Sequence, residues 1–434
     1  MKMKLKTTRR TFLQTTGVVA ASAFAAPAFL HAAAANSKLN VALVGVSGMR
    51  GGSHLGAIHG ENVVALCDVN KNFLDKVGDS VKSADRFVDF RQLLEKHGDK
   101  LDAIVVSTPD HTHAAVSVAA MKLGIHCYVE KPMAHDVNEI RVMQKIAKDK
   151  NLKTQQGTQI HEGENYRRVV EHIQAGVIGT VKTVHVWTGA GWGNKPRPTG
   201  THPIPPELDW DLWLGPVPET PFNPTYLGGN WRSYWLFGSG PLGDFGCHYG
   251  DLPFWALGLE YPTSIEATGP EPDPVCCKLD LTIKYEFPKT DKHDALTYYW
   301  YDHTAKPALY KDFPMPKNYN GGGVLFVGTE GVLLANYTEF KIYGEEAFFK
   351  TLKHPEPSIP KSLGHHNEWL NAIKNGGDTT CNFDYAGRLT ETVLLGGVAF
   401  RVGKKIAWNA AEMKTDNKDA NKLLSDPRRN GWEL

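Results

Sequence analysis

The segment Gly238-Ser239-Gly240-Pro241-Leu242-Gly243-Asp244-Phe245-Gly246-Cys247-His248-Tyr249-Gly250-Asp251 holds the residue types that acid–base chemistry needs. The apolar continuation from Leu252 to Leu257 predicts a helix beginning near Leu242. On such a helix Asp244, His248 and Asp251 fall at i, i+4 and i+7, on one face. Histidine is the natural base close to neutral pH. Gly246 and Gly250 each lower helix propensity by about 1 kcal/mol, which suits a helix that a ligand must approach closely. Plainer readings of the same residues are a solvated face, a helix capped near Asp244, or a cation site; nothing else nearby completes a metal shell, so no metal is expected. Earlier in the chain stands Glu130-Lys131-Pro132. Its lysine is a compact cation and donor, and the proline restricts the backbone that aims it. Interconverting an alcohol and a ketone with a nicotinamide needs a base for the hydroxyl proton and a cation for the developing alkoxide. It also needs the reacting carbon held against the ring. His248 is the expected base and Lys131 the expected cation, with Asp244 either orienting His248 or touching substrate. For Lys131 the plain alternative is a strand-end lysine paired with Glu130.

A dinucleotide site is readable upstream. Leu39 to Val44 has the length and β-branched content of a buried parallel strand. It runs into Gly45-Val46-Ser47-Gly48-Met49-Arg50-Gly51-Gly52, then a helix, then the strand Val63 to Cys67 ending at Asp68. Glycines let backbone approach a pyrophosphate, the helix N-terminus favours its charge, and the acid receives ribose hydroxyls. The spacing is G-x-x-G-x-x-G, so the glycines alone are equally a tight loop; Asp68, otherwise a cap for Lys71 to Val77, strengthens the cofactor reading. A carboxylate there repels a 2′-phosphate, so NAD is expected, with NADP as the alternative because Arg50 lies close in sequence. The expected cofactor contacts are Gly45, Ser47, Gly48, Met49, Arg50, Gly51 and Asp68, with Thr108, Pro109, His111, His113, Glu130 and Lys131 at later strand ends.

Those ends belong to elements that must position them. A helix is expected around Phe87 to Leu94, strands at Ala103 to Ser107, His126 to Val129 and Lys153 to Gly157, and helices at Ala114 to Leu123 and Val137 to Lys148. Repeated βα units imply a doubly wound parallel sheet whose ligands sit at the carboxyl ends of its strands. From about Gln159 the pattern changes. A helix, Glu164 to Ala175, and a strand, Thr183 to Thr188, lead into Gly189 to Gly240, dense in Pro, Gly and Trp. Long unstructured loops are uncommon in compact domains and usually carry function. Later strand-length runs predict a large, mostly antiparallel open sheet with helices on one face. The fold class is therefore α/β: a Rossmann domain at 36–158, then an α+β substrate domain at 159–434 whose loop covers 189–240. The polar tail from Lys414 is expected to lie extended over the surface. Trp187, Trp192, Trp210, Trp213, Trp231, Trp235 and Trp255 fall in or near the loop. They either form its private core or stack on a sugar ring, with Trp192 and Trp235 the chosen candidates for stacking.

The formal charge of +1 in 434 residues gives no case for nucleic acid, and the composition is that of a soluble globular protein. Residues 1–35 carry Thr8-Arg9-Arg10-Thr11-Phe12-Leu13-Gln14, an apolar run from Gly17 to Leu30, and an alanine-rich cleavage region. That pattern predicts twin-arginine export to the periplasm, with no membrane anchor in the mature form. Because that route carries folded proteins and free dinucleotide should be scarce outside the cytoplasm, a tightly held cofactor is expected. The six cysteines form no CxxC pair, and Cys276 and Cys277 leave a disulfide open.

The chain resembles the Gfo/Idh/MocA oxidoreductase family through Thr108-Pro109 with His113, Glu130-Lys131-Pro132, and Gly243-Asp244 with His248. The resemblance implies that Lys131, Asp244 and His248 are the catalytic set, and that Glu130 and the Thr108–His113 turn lie on the nicotinamide side. It implies a homo-oligomer, a dimer or tetramer joined through the open sheet. Thr158-Gln159-Ile160-His161 and Asn165-Tyr166-Arg167-Arg168 resemble the exported branch acting on sugars and glycosides, which makes His161 and Tyr166 further substrate contacts beside Asp244 and His248. The expected activity is interconversion of a hydroxyl and a ketone on a sugar, possible at the 3-position. The alternatives are an NAD-dependent glycosidase or lyase working through transient oxidation, and a non-catalytic carbohydrate-binding protein.

Overall fold

Six short strands pair side by side, all parallel; the apolar runs Asn40–Val44, Ala103–Val106 and His126–Val129 are buried by the helices that connect them, while the edge strands Asp85–Phe87 and Thr154–Gln156 are polar. The structure, a computed structural model, describes residues 38–311 and 319–434; the export segment expected at 1–35 lies outside them. In chain order the first half is β1 (Asn40–Val44), α1 (Gly51–Ile58), β2 (Asn62–Cys67), α2 (Lys71–Gly78), β3 (Asp85–Phe87), α3 (Phe90–His97), β4 (Ala103–Val106), α4 (Asp110–Lys122), β5 (His126–Val129), α5 (Val137–Asp149) and β6 (Thr154–Gln156). The strand order 3-2-1-4-5-6 reverses direction beside β1, the place where such sheets open a crevice for a ligand. The helix expected around Phe87 to Leu94 is instead the edge strand β3 followed by α3. Asp89 sets that start, its carboxylate accepting the N–H of Arg91.

The second half contains α6 (Glu164–Gln174), β7 (Val181–Thr188), the short α7 (Trp210–Leu214), α8 (Gly240–Leu257), β8 (Ser264–Thr268), β9 (Thr282–Phe287), β10 (Leu296–Asp302), β11 (Gly322–Gly328), β12 (Val332–Ala335) and β13 (Phe340–Tyr343). It ends in α9 (Glu346–Thr351), α10 (His365–Asn375), α11 (Phe383–Val402), β14 (Ile406–Asn409), β15 (Lys414–Thr415) and α12 (Lys418–Lys422). Nine strands join in the order 13-12-11-7-10-9-8-14-15, and every pairing is antiparallel except β7 with β10. One face of this sheet packs on α6, α8 and α11 around Trp300, Tyr285 and Phe326. No helix among the described residues is long and apolar enough to cross a membrane.

Two features depart from the sequence reading, while the 189–240 loop takes one of the two forms it allowed. The 189–240 stretch has no strand but a core of its own, with Trp210, Trp213, Phe222, Tyr226, Trp231, Tyr234 and Phe237 buried together. It docks on the end of β2, where Lys71 N–H donates to Glu207 O and Asp209 N–H to Val69 O. Parts of α10 and α11 enter the first half's core through Trp369 and Phe383. The tail is not extended: Asn417 caps α12, and Ala420, Leu424 and Trp432 are buried. Its charged residues find partners on the Rossmann half and the 189–240 loop, which gives an otherwise polar segment a reason to fold back. All six cysteines are free thiols.

Candidate active site

A cavity of about 970 Å³ runs along the carboxyl ends of β1, β2, β4 and β5, and the 189–240 loop roofs it. At one end lie the glycine loop and Asp68. At the other lie Lys131 with Asp244 and His248, so two stretches more than a hundred residues apart open on one space.

Gly45 ends β1 with φ +84°, and a Cβ there would stand 2.5 Å from Ser107 O, so the turn needs glycine. Ser47, Gly48, Met49 and Arg50 line the cavity, whereas Gly51 does not. Gly51 opens α1 pressed against the Val46 backbone, where any side chain would collide, and Gly52 reaches the cavity in its place. Asp68 accepts the N–H groups of Val46 (3.1 Å) and Asn70 (2.9 Å). Burial nonetheless pushes its carboxyl up to about 6. Arg50 turns the other way, its Nε 3.4 Å from Glu130 Oε1, and leaves Asp68 as the charge at the β2 end. The open backbone at Gly48 and Gly52, where an added Cβ would meet nothing, and an acid three strands along the sheet from Glu130 fit a dinucleotide, and NAD over NADP.

Glu130 is buried, yet held well below the usual carboxylate range. Burial alone would raise it, but His54 at 3.1 Å, Arg50 and Lys131 outweigh that. Gln159 adds a hydrogen bond at 2.6 Å. Thr108 and Pro109 line the cavity; His111 and His113 do not. His111 Nε2 lies 2.9 Å from Trp213 O, tying α4 to the roofing loop. His113 stands between two carbonyl oxygens, Pro132 O and Thr108 O, each 2.8 Å from a ring nitrogen. A neutral ring can donate to only one of them, and it clamps the two strand ends together. Both histidines serve the scaffold and not the cofactor surface.

Lys131 points across to α8. Its ammonium donates to Asp244 O (2.9 Å) and to Asp244 Oδ1. Arg232 Nε lies 3.4 Å from the same oxygen, and its guanidinium packs 4.1 Å over the Trp231 ring. Burial alone would raise the Asp244 carboxyl; Lys131 and then Arg232 hold it below its ordinary value. Asp244 therefore orients Lys131, and no hydrogen bond joins it to His248. His248 is half-buried one turn further on, with Nδ1 unpartnered. Burial, and next the Lys131 charge, pull its pKa down to about 3, so it stands neutral at physiological pH.

Asp251 leaves this group. It accepts from Tyr385 (2.7 Å) and meets His161 Nδ1 at 2.8 Å, beneath the stacked Trp255 ring. His161 is thus buried away from the cavity, which corrects its expected substrate contact. Tyr166 is also fully buried; its hydroxyl donates to His248 O (3.2 Å) and steadies the helix instead of touching substrate. Trp235 faces elsewhere too, its Nε1 donating to Asp273 O under the Arg401 guanidinium. Trp192 does line the cavity, joined by Trp213 and Trp231. Sequence reasoning missed Arg232, Asp110 and Trp432. Arg232 was signalled by its place inside the tryptophan-dense segment, and Trp432 by being a lone large apolar residue in a polar tail.

Residues 39–158 match the model of an oxidoreductase family, NAD-binding Rossmann fold, and residues 163–291 match its companion, the C-terminal alpha/beta domain. The chain belongs to the Gfo/Idh/MocA family. Among curated relatives, a glycosyl hydrolase family 109 protein of Shewanella baltica is 28% identical over 205 residues, 39% of this chain and 43% of that one. Another of that name, from Solibacter usitatus, is 31% identical over 166 residues, 33% and 35% of the two chains. The chain thus spans less than half the length of the curated relatives it matches. The fold is shared with GenD2 from gentamicin A biosynthesis, solved in complex with NAD: TM-score 0.60, 18% identity, 86% of this chain and 97% of that one. It is shared too with the WlbA dehydrogenase of Bordetella pertussis, solved with NADH and UDP-GlcNAcA: TM-score 0.63, 18% identity, 86% and 98%. This Gfo/Idh/MocA chain carries the family's NAD-binding domain, with the glycine loop, Asp68 and Glu130 as the residues that would hold NAD.

Proposed function

We propose that this protein oxidises or reduces a hydroxyl of a sugar or glycoside, with His248 as the base and Lys131 steadying the oxyanion. When bound, NAD supplies the hydride acceptor or donor. The observation that carries the reading is the Lys131–Asp244 bond, which brings the strand-end lysine and the α8 Asp/His pair into one cavity with the glycine loop. Lys131 has three N–H groups and gives two to Asp244, so one is left for a substrate oxygen. Neutral His248 can take the hydroxyl proton as the alkoxide forms, and the ammonium beside it stabilises that charge in a water-poor site. Trp192 Nε1 is buried in the cavity wall without a partner, and an indole in such a wall is the kind of surface that sugar rings pack against.

The test is to purify the protein without added nucleotide, denature it, identify what is released, and screen glycosides for a change in reduced-nicotinamide absorbance. An absence of response to every sugar, with response to simple alcohols, would remove the sugar from the proposal. A second reading, glycoside cleavage through transient oxidation, is supported by the glycosyl hydrolase names of the relatives. Release of free sugar without net change in the nicotinamide would select it. We also propose export by the twin-arginine route with the cofactor already loaded; Arg9→Lys with Arg10→Lys should hold the protein in the cytoplasm. Association through the outer face of the nine-stranded sheet, which carries the stacked His185 and Tyr299 rings, is proposed as well and is read by sedimentation.

A further inference from the structure

Residues 426–434 belong to neither sheet, yet they are tied to both the Rossmann half and the roofing loop. Asp426 meets His135 Nδ1 at 3.1 Å, and its N–H donates to Asp136 Oδ2 (2.9 Å). Arg428 pairs with the buried Glu139 and donates to Trp432 O (3.2 Å). Arg429 donates from Nε to Gly215 O (2.9 Å), and its other nitrogens hold the Asp211 carboxylate and backbone. These anchors bridge α5 and the roofing loop, and what they deliver is one side chain.

Trp432 is 8% exposed and forms part of the cavity wall near Phe90, Val116 and Leu212. The Arg91 guanidinium covers its ring at 4.7 Å, and the Phe90 ring lies 6.0 Å away. The surrounding wall is made by the residues after β2 and β3, Val69 and Val88 among them, on the side of the cavity where Asp68 stands. By the position of that acid this is the adenosine end of a dinucleotide site. A tail needing only to cover its own tryptophan could bury it against any apolar surface. This one is anchored by three charged residues, and the ring they hold is part of the wall of a binding cavity.

We propose that residues 426–434 are a clasp on the dinucleotide, with Trp432 a binding residue for its adenosine half and Arg428 and Arg429 positioning residues. The clasp sets how slowly the cofactor leaves. The proposal rests on NAD binding and not on the sugar reading, so its test contains no sugar. Holoprotein carrying Trp432→Ala, Trp432→Phe or no substitution is diluted into an NAD scavenger, and release of bound NAD is timed. Loss of an aromatic contact with a base should speed release about tenfold or more in Trp432→Ala, with Trp432→Phe close to the parent. Release within about twofold of the parent in a folded Trp432→Ala protein would overturn the proposal. If that variant does not fold, Arg429→Gln decides, since Arg429 lies outside the cavity: faster release supports the clasp and an unchanged rate overturns it. Retained NAD with no activity toward any glycoside would instead count against the sugar reading alone.

Discussion

Replacing Lys131 with methionine keeps the length of the side chain and removes its charge, and two effects should follow with different pH dependence. The Lys131 and Asp244 side chains are only 10% and 8% exposed, so solvent screens their pair weakly. Removing one partner of a buried pair typically costs about 3–5 kcal/mol. Arg232 remains 3.4 Å from the same carboxylate oxygen and retains part of the compensation. A loss of about 1–3 kcal/mol at neutral pH is therefore expected, read by denaturant unfolding of the holoprotein. Asp244 is depressed in the folded protein, so its contribution is present above the unfolded value of about 4 and is lost as pH falls through the folded one. Lys131→Met moves that folded value up, so the stability gap between variant and parent should narrow below about pH 4. Turnover should fall by about 10²–10³-fold or more, as for loss of a donor to a developing oxyanion, with NAD still bound. Single-turnover absorbance on a glycoside found by screening measures it. Turnover within a few-fold of the parent would refute the catalytic assignment, and a stability gap that is constant from neutral pH to pH 3 would refute the electrostatic one.

His248→Asn should lower kcat by about 10²–10⁴-fold while leaving NAD retention unchanged. Because burial lowers the His248 pKa to about 3 while the unfolded value is near 6.5, the parent loses stability from this group as pH falls between those values; the variant should be the more acid-resistant of the two in unfolding experiments. Asp68→Asn should weaken NAD binding about tenfold or more by titration. Since the Asp68 carboxyl is raised to about 6, its ionisation opposes folding above that pH, and the cofactor-free variant should melt higher than the parent at pH 7. Trp192→Ala should raise KM with little change in kcat, because it removes a wall and a donor without touching the reacting atoms; an equal fall in kcat would place it in the chemistry instead.

Most of the parallel half was legible because its central strands are apolar runs that break off at a glycine or a charge, Val44 before Gly45 and Cys67 before Asp68 among them; the short polar edge strand Asp85–Phe87 carries no such signal and was missed. That Lys131, Asp244 and His248 share one cavity was expected from the motifs Glu130-Lys131-Pro132 and Gly243-Asp244 with His248 taken together, since the helix spacing alone also allows a capped or solvated face. The direction of individual side chains was not. Asp244 and Asp251 sit seven residues apart on α8, but α8 lies between two layers, so one acid meets Lys131 and the other meets His161 and Tyr385. Periodicity gives a face only when a helix has a single partner. The same limit misplaced His111, His113 and Trp235, whose polar atoms are claimed by backbone carbonyls that no local pattern reveals. The tail was misread because its partners, Glu139 and Asp211, lie some 220–290 residues away.

The bond between Lys131 and Asp244 joins the end of a Rossmann strand to the helix that backs the nine-stranded sheet. Mechanical coupling follows from that placement. The helices α10 and α11 tie the halves together elsewhere, but at the cavity this bond is the link, so any shift of α8 against β5 would cost the lysine its aim. Catalytic competence and closure would then be a single event, and a half-open enzyme would be inert toward stray hydroxyls, water included.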